Sequence, residues 1–350
     1  QTMIKQTTYT NCFATKGEGY AISCRSYELE MNGCTFNKHR RNANNATHSI
    51  LYIQMDEKVP DLSSLTFEDN SGVSGLTLIV PENVELKDFI FRNYNDNTPC
   101  IDLDQWSMTK EQSTTNAISL SKFSFTNINS RCIYMSKAKT FEVNVNGCTF
   151  TDNAVTFGRT IYSTRPVGSC ILCINSGNVK VDNCVFTNNF AKGYGGAIFA
   201  EAQAIDINNC QFVNCSAGSY EDGDESYGGA IYLDGQSMTK GKVERLNNNV
   251  FNNCTSTSRG GALFVYCKDI NRKSTRANDD FRMMITSCKF TGCKSGKEGG
   301  AISSGEPRTV GQEGALGDND FYIGNSNFIE CQSLSGGALF FQDGTLTGDE

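Results

Sequence analysis

The hydrophobic positions of this chain recur with a period longer than a strand and shorter than a domain. In Val179–Phe199, two short apolar runs flank a turn rich in Asn and Gly, and this order of residue types recurs along the chain. One aromatic residue marks each copy, and these residues are Tyr9, Phe36, Phe67, Phe91, Phe125, Phe150, Phe186, Phe212, Phe251, Phe290 and Phe328. A repeat of about 30 residues with variable insertions is typical of a solenoid.

The residues before each aromatic position predict two strands with a bend between them. In one copy Val179 and Val181 form the first apolar run, and Cys184 and Phe186 form the second. Alternation within each run is the period of a strand. One residue is skipped between the runs, here Asn183, and Asn and Gly tolerate a left-handed backbone. We therefore expect a bend that keeps both runs facing inward.

A small residue followed by an aliphatic one closes each copy. The predicted pairs are Ala21-Ile22, Ser49-Ile50, Gly75-Leu76, Cys100-Ile101, Cys132-Ile133, Thr160-Ile161, Ala197-Ile198, Ala230-Ile231, Ala262-Leu263, Ala301-Ile302 and Ala338-Leu339. No unit is long enough to bury its own apolar face, whereas stacked parallel strands bury a continuous column of like side chains. The pattern predicts an all-β fold: a right-handed single-stranded parallel β-helix, a solenoid of about eleven coils.

Composition adds constraints on domains and partners. No change in composition divides the 350 residues, so residues 1–350 are expected to form one continuous parallel β-helix. The net charge of -7 argues against nucleic acid as a partner. No apolar run is long enough to span a membrane, so membrane contact is expected only through segments outside this sequence. The chain has no signal-peptide pattern and is interpreted as a fragment of a longer one.

Cysteines and glycosylation sequons point to a secretory route. The chain has 16 cysteines, and Asn-x-Ser/Thr triplets occur at Asn45, Asn214 and Asn253. Disulfide-rich, glycosylated proteins belong to oxidising compartments. The three asparagines are therefore glycosylation candidates, and the expected localisation is extracellular or at the cell surface.

Many cysteines recur at two fixed positions relative to the aromatic residue. An inner set, two residues before it, is expected to be free thiols: Cys148, Cys184 and Cys210. A second set, three residues after it, consists of the disulfide candidates Cys215, Cys254, Cys293 and Cys331. Neighbouring strands lie about 4.8 Å apart, a Cα separation that a disulfide accepts. Two alternatives stay open for the second set: the pairs Cys215–Cys254 and Cys293–Cys331, or a column of packed thiols.

Two further clusters have residue types that bind metal ions, but neither predicts a site. Cys170-x-x-Cys173 has the spacing of a redox or zinc motif but stands alone, so a structural role is expected. A weak Ca²⁺ candidate is the acidic run Glu221, Asp222, Asp224 and Glu225. Its spacing matches no calcium loop, and a solvated loop is the favoured interpretation. No cofactor and no metal are expected.

An enzyme is the disfavoured class. Some parallel β-helices cleave polysaccharides with clustered carboxylates. Here the two histidines, His39 and His48, fall in one insertion, and the adjacent pair Asp279-Asp280 falls in a predicted loop. No catalytic residue is predicted.

Two motifs carry a resemblance to a known family. G-G-A-[IL] occurs at Gly195–Ile198, Gly228–Ile231, Gly260–Leu263, Gly299–Ile302 and Gly336–Leu339. F-x-x-N occurs at Phe150–Asn153 and Phe186–Asn189, and later copies have Cys in the last place. The chain resembles the repeat of chlamydial polymorphic membrane proteins and of related large surface proteins of protozoa such as trichomonads. The resemblance implies a right-handed parallel β-helix displayed at a cell surface, with adhesion as its role and no catalytic residues.

Three functions remain in order of preference. A structural or adhesive β-helix that presents loops to cell-surface or matrix ligands is first. A subunit of an extracellular filament or appendage is the alternative, since β-helix ends expose unpaired strands to which copies of the chain could bind. A polysaccharide lyase or hydrolase is the least favoured.

Overall fold

The computed structural model describes most of the chain as strands that pair in parallel. The described residues are 2–12, 14, 19–41, 49–96, 98–109, 116–136, 141–156, 167–219, 225–234, 244–266, 283–305, 320–341 and 345–347. The strands form sheets of 22, 11 and 5 strands, called here the large, aromatic and small sheets. This arrangement confirms the all-β parallel β-helix.

The aromatic sheet contains one strand from each of eleven coils. Its strands are Thr8–Thr10, Thr35–Asn37, Thr66–Glu68, Ile90–Arg92, Ser124–Thr126, Thr149–Thr151, Val185–Thr187, Gln211–Val213, Val250–Asn252, Lys289–Thr291 and Asn327–Ile329. The small sheet contains Ala154–Val155, Phe190–Ala191, Ser216–Ala217, Thr255–Ser256 and Lys294–Ser295.

The large sheet holds the strands before the bend and those after the closing turn. They are Thr2–Lys5, Gly19–Ser26, Leu29–Asn32, Ser49–Met55, Asp61–Ser63, Ser74–Val80, Val84–Lys87, Ile101–Asp102, Ser107–Met108, Asn116–Ser121, Ile133–Met135, Phe141–Asn146, Ile171–Asp182, Ile198–Asn208, Ile231–Asp234, Glu244–Asn247, Leu263–Tyr266, Met283–Thr286, Ile302–Ser304, Asp320–Gly324, Leu339–Phe341 and Thr345–Thr347. One 3₁₀ turn spans Leu103–Gln105. No helix among the described residues is long and apolar enough to cross a membrane.

The predicted aromatic positions stack in register along the coil axis. Each ring residue pairs with the next, as Phe150 does with Phe186 and Phe186 with Phe212. Centroids of successive rings lie 4.6 to 5.1 Å apart from Tyr9 to Phe328. The inner nine rings are fully buried. This stack confirms both the period and the number of coils.

Two left-handed corners bound the aromatic strand of each coil. The first is the predicted bend, with φ of 65° at Gly33 and 55° at Asn183. The second lies two residues after the ring, with φ of 55° at Asn188. Asn, Asp and Gly predominate at both corners because they adopt this conformation at the lowest cost. The corners turn the chain while both flanking strands keep their apolar side chains inside.

Two of the predicted small–aliphatic pairs need correction. Leu51, and not Ile50, pairs with Ile22 and Leu76, so Ile50 occupies the small position. Gly75 opposes it in the next coil, where the Phe91 ring lies too close to admit a Cβ. Thr160-Ile161 lies outside the described residues, and the pair that is stacked between its neighbours is Cys170-Ile171: Ile171 pairs with both Ile133 and Ile198. An insertion before Cys170 separates this pair from the preceding strand and breaks the regular spacing.

A second apolar cluster lies apart from the main core. The main core is formed by the inward columns and runs from Tyr20 to Phe321. The second cluster is Val167, Leu172, Ile174, Phe199, Tyr227, Tyr232, Phe264 and Tyr266. The ring centroids of Phe199 and Tyr232 lie 4.9 Å apart, and those of Tyr227 and Phe264 lie 4.7 Å apart. Outward side chains of the strands that begin at the small–aliphatic pairs, such as Phe199 and Tyr232, therefore form a cluster with Val167 and Tyr227, which lie just before the closing turns.

Candidate functional site

A ladder of amide side chains follows the second corner on the outside of the coils. Asn127 Nδ2 donates to Asn93 Oδ1 (2.8 Å), and Asn214 Nδ2 donates to Asn188 Oδ1 (3.1 Å). Asp69 Oδ1 accepts from Asn93 in the same way (3.0 Å). These bonds link the corner of one coil to the corner of the next.

Two glycosylation candidates lie on this ladder. Asn214 and Asn253 are both exposed at left-handed corners. Asn214 uses one of its two amide hydrogens for Asn188 Oδ1, so its other hydrogen is available for replacement by a sugar. The exposed position is the one that glycosylation requires, and the modification stays a prediction. Asn45 lies outside the described residues.

The outward side chains of the aromatic sheet form a long regular surface, called here the outer face. Between Ser124 and Asn252, five successive strands carry no charged side chain on this face. The preceding strands carry an ion pair in which Arg92 contacts Glu68 at 2.5 Å. Stacked strands repeat these side chains about every 4.8 Å. The outer face therefore offers many similar weak contacts along one line.

Thiols of the inner cysteine column both accept and donate hydrogen bonds to the main chain. The main-chain N–H of Cys148 donates to Cys184 Sγ (3.4 Å), and that of Cys184 donates to Cys210 Sγ (3.4 Å). Each thiol donates in turn to main-chain carbonyls, as Cys210 does to Asn208 (3.1 Å). In the next coil Asn249 takes the same place, and its Oδ1 accepts from the N–H of Cys210 (2.8 Å). The three cysteines are free thiols in the structure.

The second cysteine set forms another inward column. Its four members are free thiols in the structure, with the first three buried and Cys331 partly exposed. Cys215 Sγ donates to the carbonyl of Phe186 (3.6 Å), and Cys254 Sγ donates to that of Phe212 (3.5 Å). The predicted pairs Cys215–Cys254 and Cys293–Cys331 bring together thiols on adjacent coils. Their oxidation stays a prediction.

Cys170-x-x-Cys173 belongs to the packed interior. Both cysteines are fully buried, Cys170 before the inward Ile171 and Cys173 at its strand pair with Ala200. Burial raises the pKa of Cys173 to about 12, so it is a thiol at neutral pH. The described residues contain no group of three or more His, Cys, Asp or Glu side chains that could hold a metal ion.

Glu225 is the one residue of the acidic run that the structure describes. Its carboxylate accepts from Lys297 Nζ (2.6 Å) and from the Tyr227 hydroxyl. Burial raises the pKa of Glu225, but the hydrogen bonds from Lys297 and Tyr227 outweigh it and leave the pKa below its usual value. This carboxylate is therefore engaged by the protein itself. Glu221, Asp222 and Asp224 lie outside the described residues.

His39 has a role that the sequence pattern did not reveal. It lies three residues after Phe36, in the column that asparagine and cysteine occupy in later coils, and this spacing could have identified it. Its Nδ1 accepts from the N–H of Cys12 (3.1 Å), while Nε2 is buried without a hydrogen-bond partner. Burial lowers the pKa of His39 to about 4. His48 lies outside the described residues.

Stacked coils, left-handed corners and inward polar columns define a repeat protein of the parallel β-helix class. Residues 183–201 match the Chlamydia polymorphic membrane protein repeat. The matched residues run from the first corner at Asn183, through Phe186, to the glycine turn and the strand that follows it. They support a repeat of the polymorphic membrane protein type. No curated protein and no solved structure matches the chain.

Proposed function

We propose that the chain is a structural or adhesive β-helix of a cell surface or the extracellular space, with cell-surface or matrix molecules as its ligands. The match of residues 183–201 to the Chlamydia polymorphic membrane protein repeat carries this proposal. That repeat and the parallel β-helix both fit a surface protein. We extend the relation to the surface proteins of protozoa such as trichomonads as part of the same proposal.

The outer face is the contact surface we propose for adhesion. Its uncharged strands from Ser124 to Asn252 align side chains such as Thr126, Thr151 and Thr187 in register. A line of weak contacts gives strong attachment when many act together. An uncharged surface on a chain of net charge -7 also disfavours nucleic acid as a ligand.

A filament subunit is the second candidate function. Apolar side chains are exposed on the last described coil, with Leu334 87% and Ile329 41% exposed, and Met3 on the first is 54% exposed. Rings at the two ends, Tyr9 and Phe328, are only partly buried. A second copy of the chain placed end to end would continue the ring stack.

An enzyme remains the disfavoured class, and we assign no catalytic residue. A shallow apolar depression beside Leu78, Val84 and Trp106 has no enclosed space for even one water molecule. Small-molecule sites usually occupy about 300–1,000 Å³. The polymorphic membrane protein repeat fits a protein without enzymatic activity.

Adhesion can be tested with beads coated with the chain on layers of cultured epithelial cells, collagen, laminin and fibronectin. We expect retention under flow on at least one layer. The double variant Thr126→Lys and Thr187→Lys should reduce it at least tenfold, because it places two charges on the outer face. Ser119→Lys with Asn208→Lys adds the same charge to the large sheet and should leave retention unchanged.

Retention no greater than that of uncoated beads on every layer contradicts adhesion. Electron microscopy of the same preparation separates the two candidates. A single chain of eleven coils measures roughly 50 Å along its axis at about 4.8 Å per coil. Rods several times longer, without retention on any layer, favour the filament.

A further inference from the structure

The outer face carries hydroxyl groups that the protein itself does not use. Between Ser124 and Asn252 its side chains form two columns, one on each side of the ring stack, and each side chain pairs in register with the next. The hydroxyls in these columns that form no hydrogen bond within the described part of the chain are those of Ser124, Thr126, Thr149, Thr151 and Thr187. Thr149 is exposed and the others are partly exposed, so an external partner can reach them.

Methyl groups lie among these hydroxyls. Each threonine carries a methyl beside its hydroxyl, and Val185, Val213 and Val250 continue the two columns in later coils. All three valines are partly exposed. Stacked strands repeat about every 4.8 Å, so hydroxyl and methyl groups follow one another in rows along the coil axis.

Amide ladders border both long edges of this surface. On one edge Asn188 Nδ2 donates to Asp152 Oδ1 (2.9 Å), and on the other Asn183 Nδ2 donates to Asn146 Oδ1 (2.9 Å). Asn183 and Asn188 are exposed at the two corners of one coil. A primary amide has two N–H groups, so each of these side chains keeps one that the ladder does not use. Rows of amide donors therefore run beside the rows of hydroxyls.

The chemistry of the outer face disfavours several classes of partner. Acidic glycans need cationic side chains, and the five strands from Ser124 to Asn252 present none on this face. Protein partners bind chiefly through Trp, Tyr and Arg, which these strands also do not present there. A lipid surface needs large apolar side chains with basic neighbours. The class that fits is an uncharged ligand with hydroxyl, methyl and amide groups.

We propose that the outer face binds an uncharged glycan of N-acetylhexosamine units, extended along the coil axis. Its hydroxyls exchange hydrogen bonds with the threonine hydroxyls, and its acetamido carbonyls accept from the ladder amides. Its acetyl methyls pack against the methyls of threonine and valine. This inference rests on the proposed adhesive function, because it assigns a ligand class to the same face.

A repeating surface that binds a repeating ligand predicts a dependence on ligand length. Five strands span roughly 20 Å at about 4.8 Å per coil. Each further coil adds contacts of the same kind to a ligand that is already held. Affinity should therefore rise with the number of sugar units, whereas a single pocket would be filled by one or two of them.

Isothermal titration calorimetry of the folded chain with β-1,4-linked N-acetylglucosamine oligomers tests this assignment. We expect the hexamer to bind at least tenfold more tightly than the trimer. It should also bind at least fivefold more tightly than the glucose hexamer of the same linkage, which has a hydroxyl in place of each acetamido group. Equal binding of the two hexamers, equal binding of trimer and hexamer, or no binding of any oligomer overturns the proposal.

Paired variants locate the contact surface. Thr126→Val with Thr187→Val removes two hydroxyls at nearly constant shape and should weaken binding of the N-acetylglucosamine hexamer at least tenfold. Thr8→Val with Thr10→Val makes the same change on the first strand of the aromatic sheet, outside the uncharged strands, and should leave binding unchanged. Equal effects of the two double variants overturn the assignment to the uncharged strands.

The bead assay separates this inference from adhesion itself. Beads retained on a cell or matrix layer, without binding of any oligomer in solution, support adhesion and overturn the glycan as its ligand. Hexamer binding without retention on any layer supports the glycan and contradicts adhesion to those layers.

Discussion

Each glycine of the G-G-A turn is required for its own reason. The first has a positive φ, 64° at Gly228, and a Cβ there would lie 2.1 Å from the carbonyl oxygen of Ile231. The second is pressed against the next coil, and a Cβ on Gly229 would lie 2.0 Å from the carbonyl oxygen of Gly261. The motif therefore combines a tight turn with close approach of successive coils.

Gly229→Ala is expected to destabilise the fold by about 3 kcal/mol or more, because neither main-chain segment at this contact can yield freely. Gly147→Ala is the matched control. It also lies in a coil corner, with φ of 63°, but its Cβ would meet only the Lys122 side chain at 3.7 Å. A cost of about 1 kcal/mol is expected there. Urea unfolding of both variants measures the difference, and equal losses would contradict the role given to the second glycine.

His39 should make the first coils sensitive to acid. Its pKa is lowered to about 4 in the folded chain, below the ordinary value of 6.5, so the unfolded chain binds the proton first. The contribution of neutral His39 to the free energy of unfolding should be fully present above about pH 6.5. The free energy of unfolding should then decrease by roughly 1–3 kcal/mol as the pH falls toward 4. The groups around it, the Cys12 N–H and Asn70, do not titrate in this range.

His39→Asn tests this dependence. Asn153 and Asn189 occupy the same column in later coils, so an amide should fit. Thermal unfolding followed between pH 7 and pH 4 should show a smaller decline for the variant than for the unaltered chain. An identical pH profile would show that other groups govern acid stability.

At the scale of a single coil, the buried side-chain amide of Asn189 forms hydrogen bonds with three groups of the preceding coil. Asn189 Oδ1 accepts from the N–H and Nδ2 of Asn153 (3.1 and 3.0 Å), and its Nδ2 donates to the carbonyl of Phe150 (2.9 Å). Cys215 takes this position in the next coil, where its thiol donates to the carbonyl of Phe186 (3.6 Å). Asparagine and cysteine are thus alternative solutions at one corner.

Asn189→Leu should cost about 2–4 kcal/mol, since it leaves buried hydrogen-bonding groups of the preceding coil without partners. Asn189→Cys should cost less, about 1 kcal/mol, because a thiol at this position donates to the preceding ring residue in the neighbouring coils. Chemical unfolding compares them. A cysteine variant as unstable as the leucine variant would refute the equivalence.

Repetition explains which elements were predictable from the sequence. The ring residues and corners such as Asn183 could be placed because every coil repeats their spacing. The register at Leu51 was missed because the small residue Ser49 stands before an aliphatic residue one position too early. Cys170 was missed because an insertion precedes it. The aromatic cluster around Tyr232 was missed for another reason. Leu172, Phe199, Tyr232 and Phe264 recur in register, but strand alternation places them outward, so their burial depends on packing against residues before the closing turns.

Candidate chemistry was predictable to the same extent. The two columns of cysteines followed from spacing. The burial of His39 was not predicted, because His39 was assigned to an insertion although it lies three residues after Phe36, in the same column. Ion pairs such as Glu225–Lys297 join residues two coils apart, and no local pattern marks them.

For the whole molecule, a fold built by stacking should survive removal of one complete coil. Deletion of Cys184–Asn209 joins Asn183 to Cys210. In the next coil, Cys210 occupies the position that Cys184 has after Asn183. Strand Thr149–Thr151 would then pair with Gln211–Val213, and Ile171 would stack on Ile231, so every inward column stays continuous. The shortened chain should keep its β circular dichroism and unfold cooperatively.

Deletion of one residue fewer, Cys184–Asn208, is the control. It leaves Asn209 as an extra residue at the corner after Asn183. Strand Gln211–Val213 is then shifted by one position relative to strand Thr149–Thr151. Because side chains alternate between faces, this shift would turn apolar residues of one segment outward. Small-angle scattering should show a folded rod about 5 Å shorter for the complete-coil deletion and expansion or aggregation for the control. If both deletions behave alike, inward columns do not determine the register, and the stability of the rod depends on its loops.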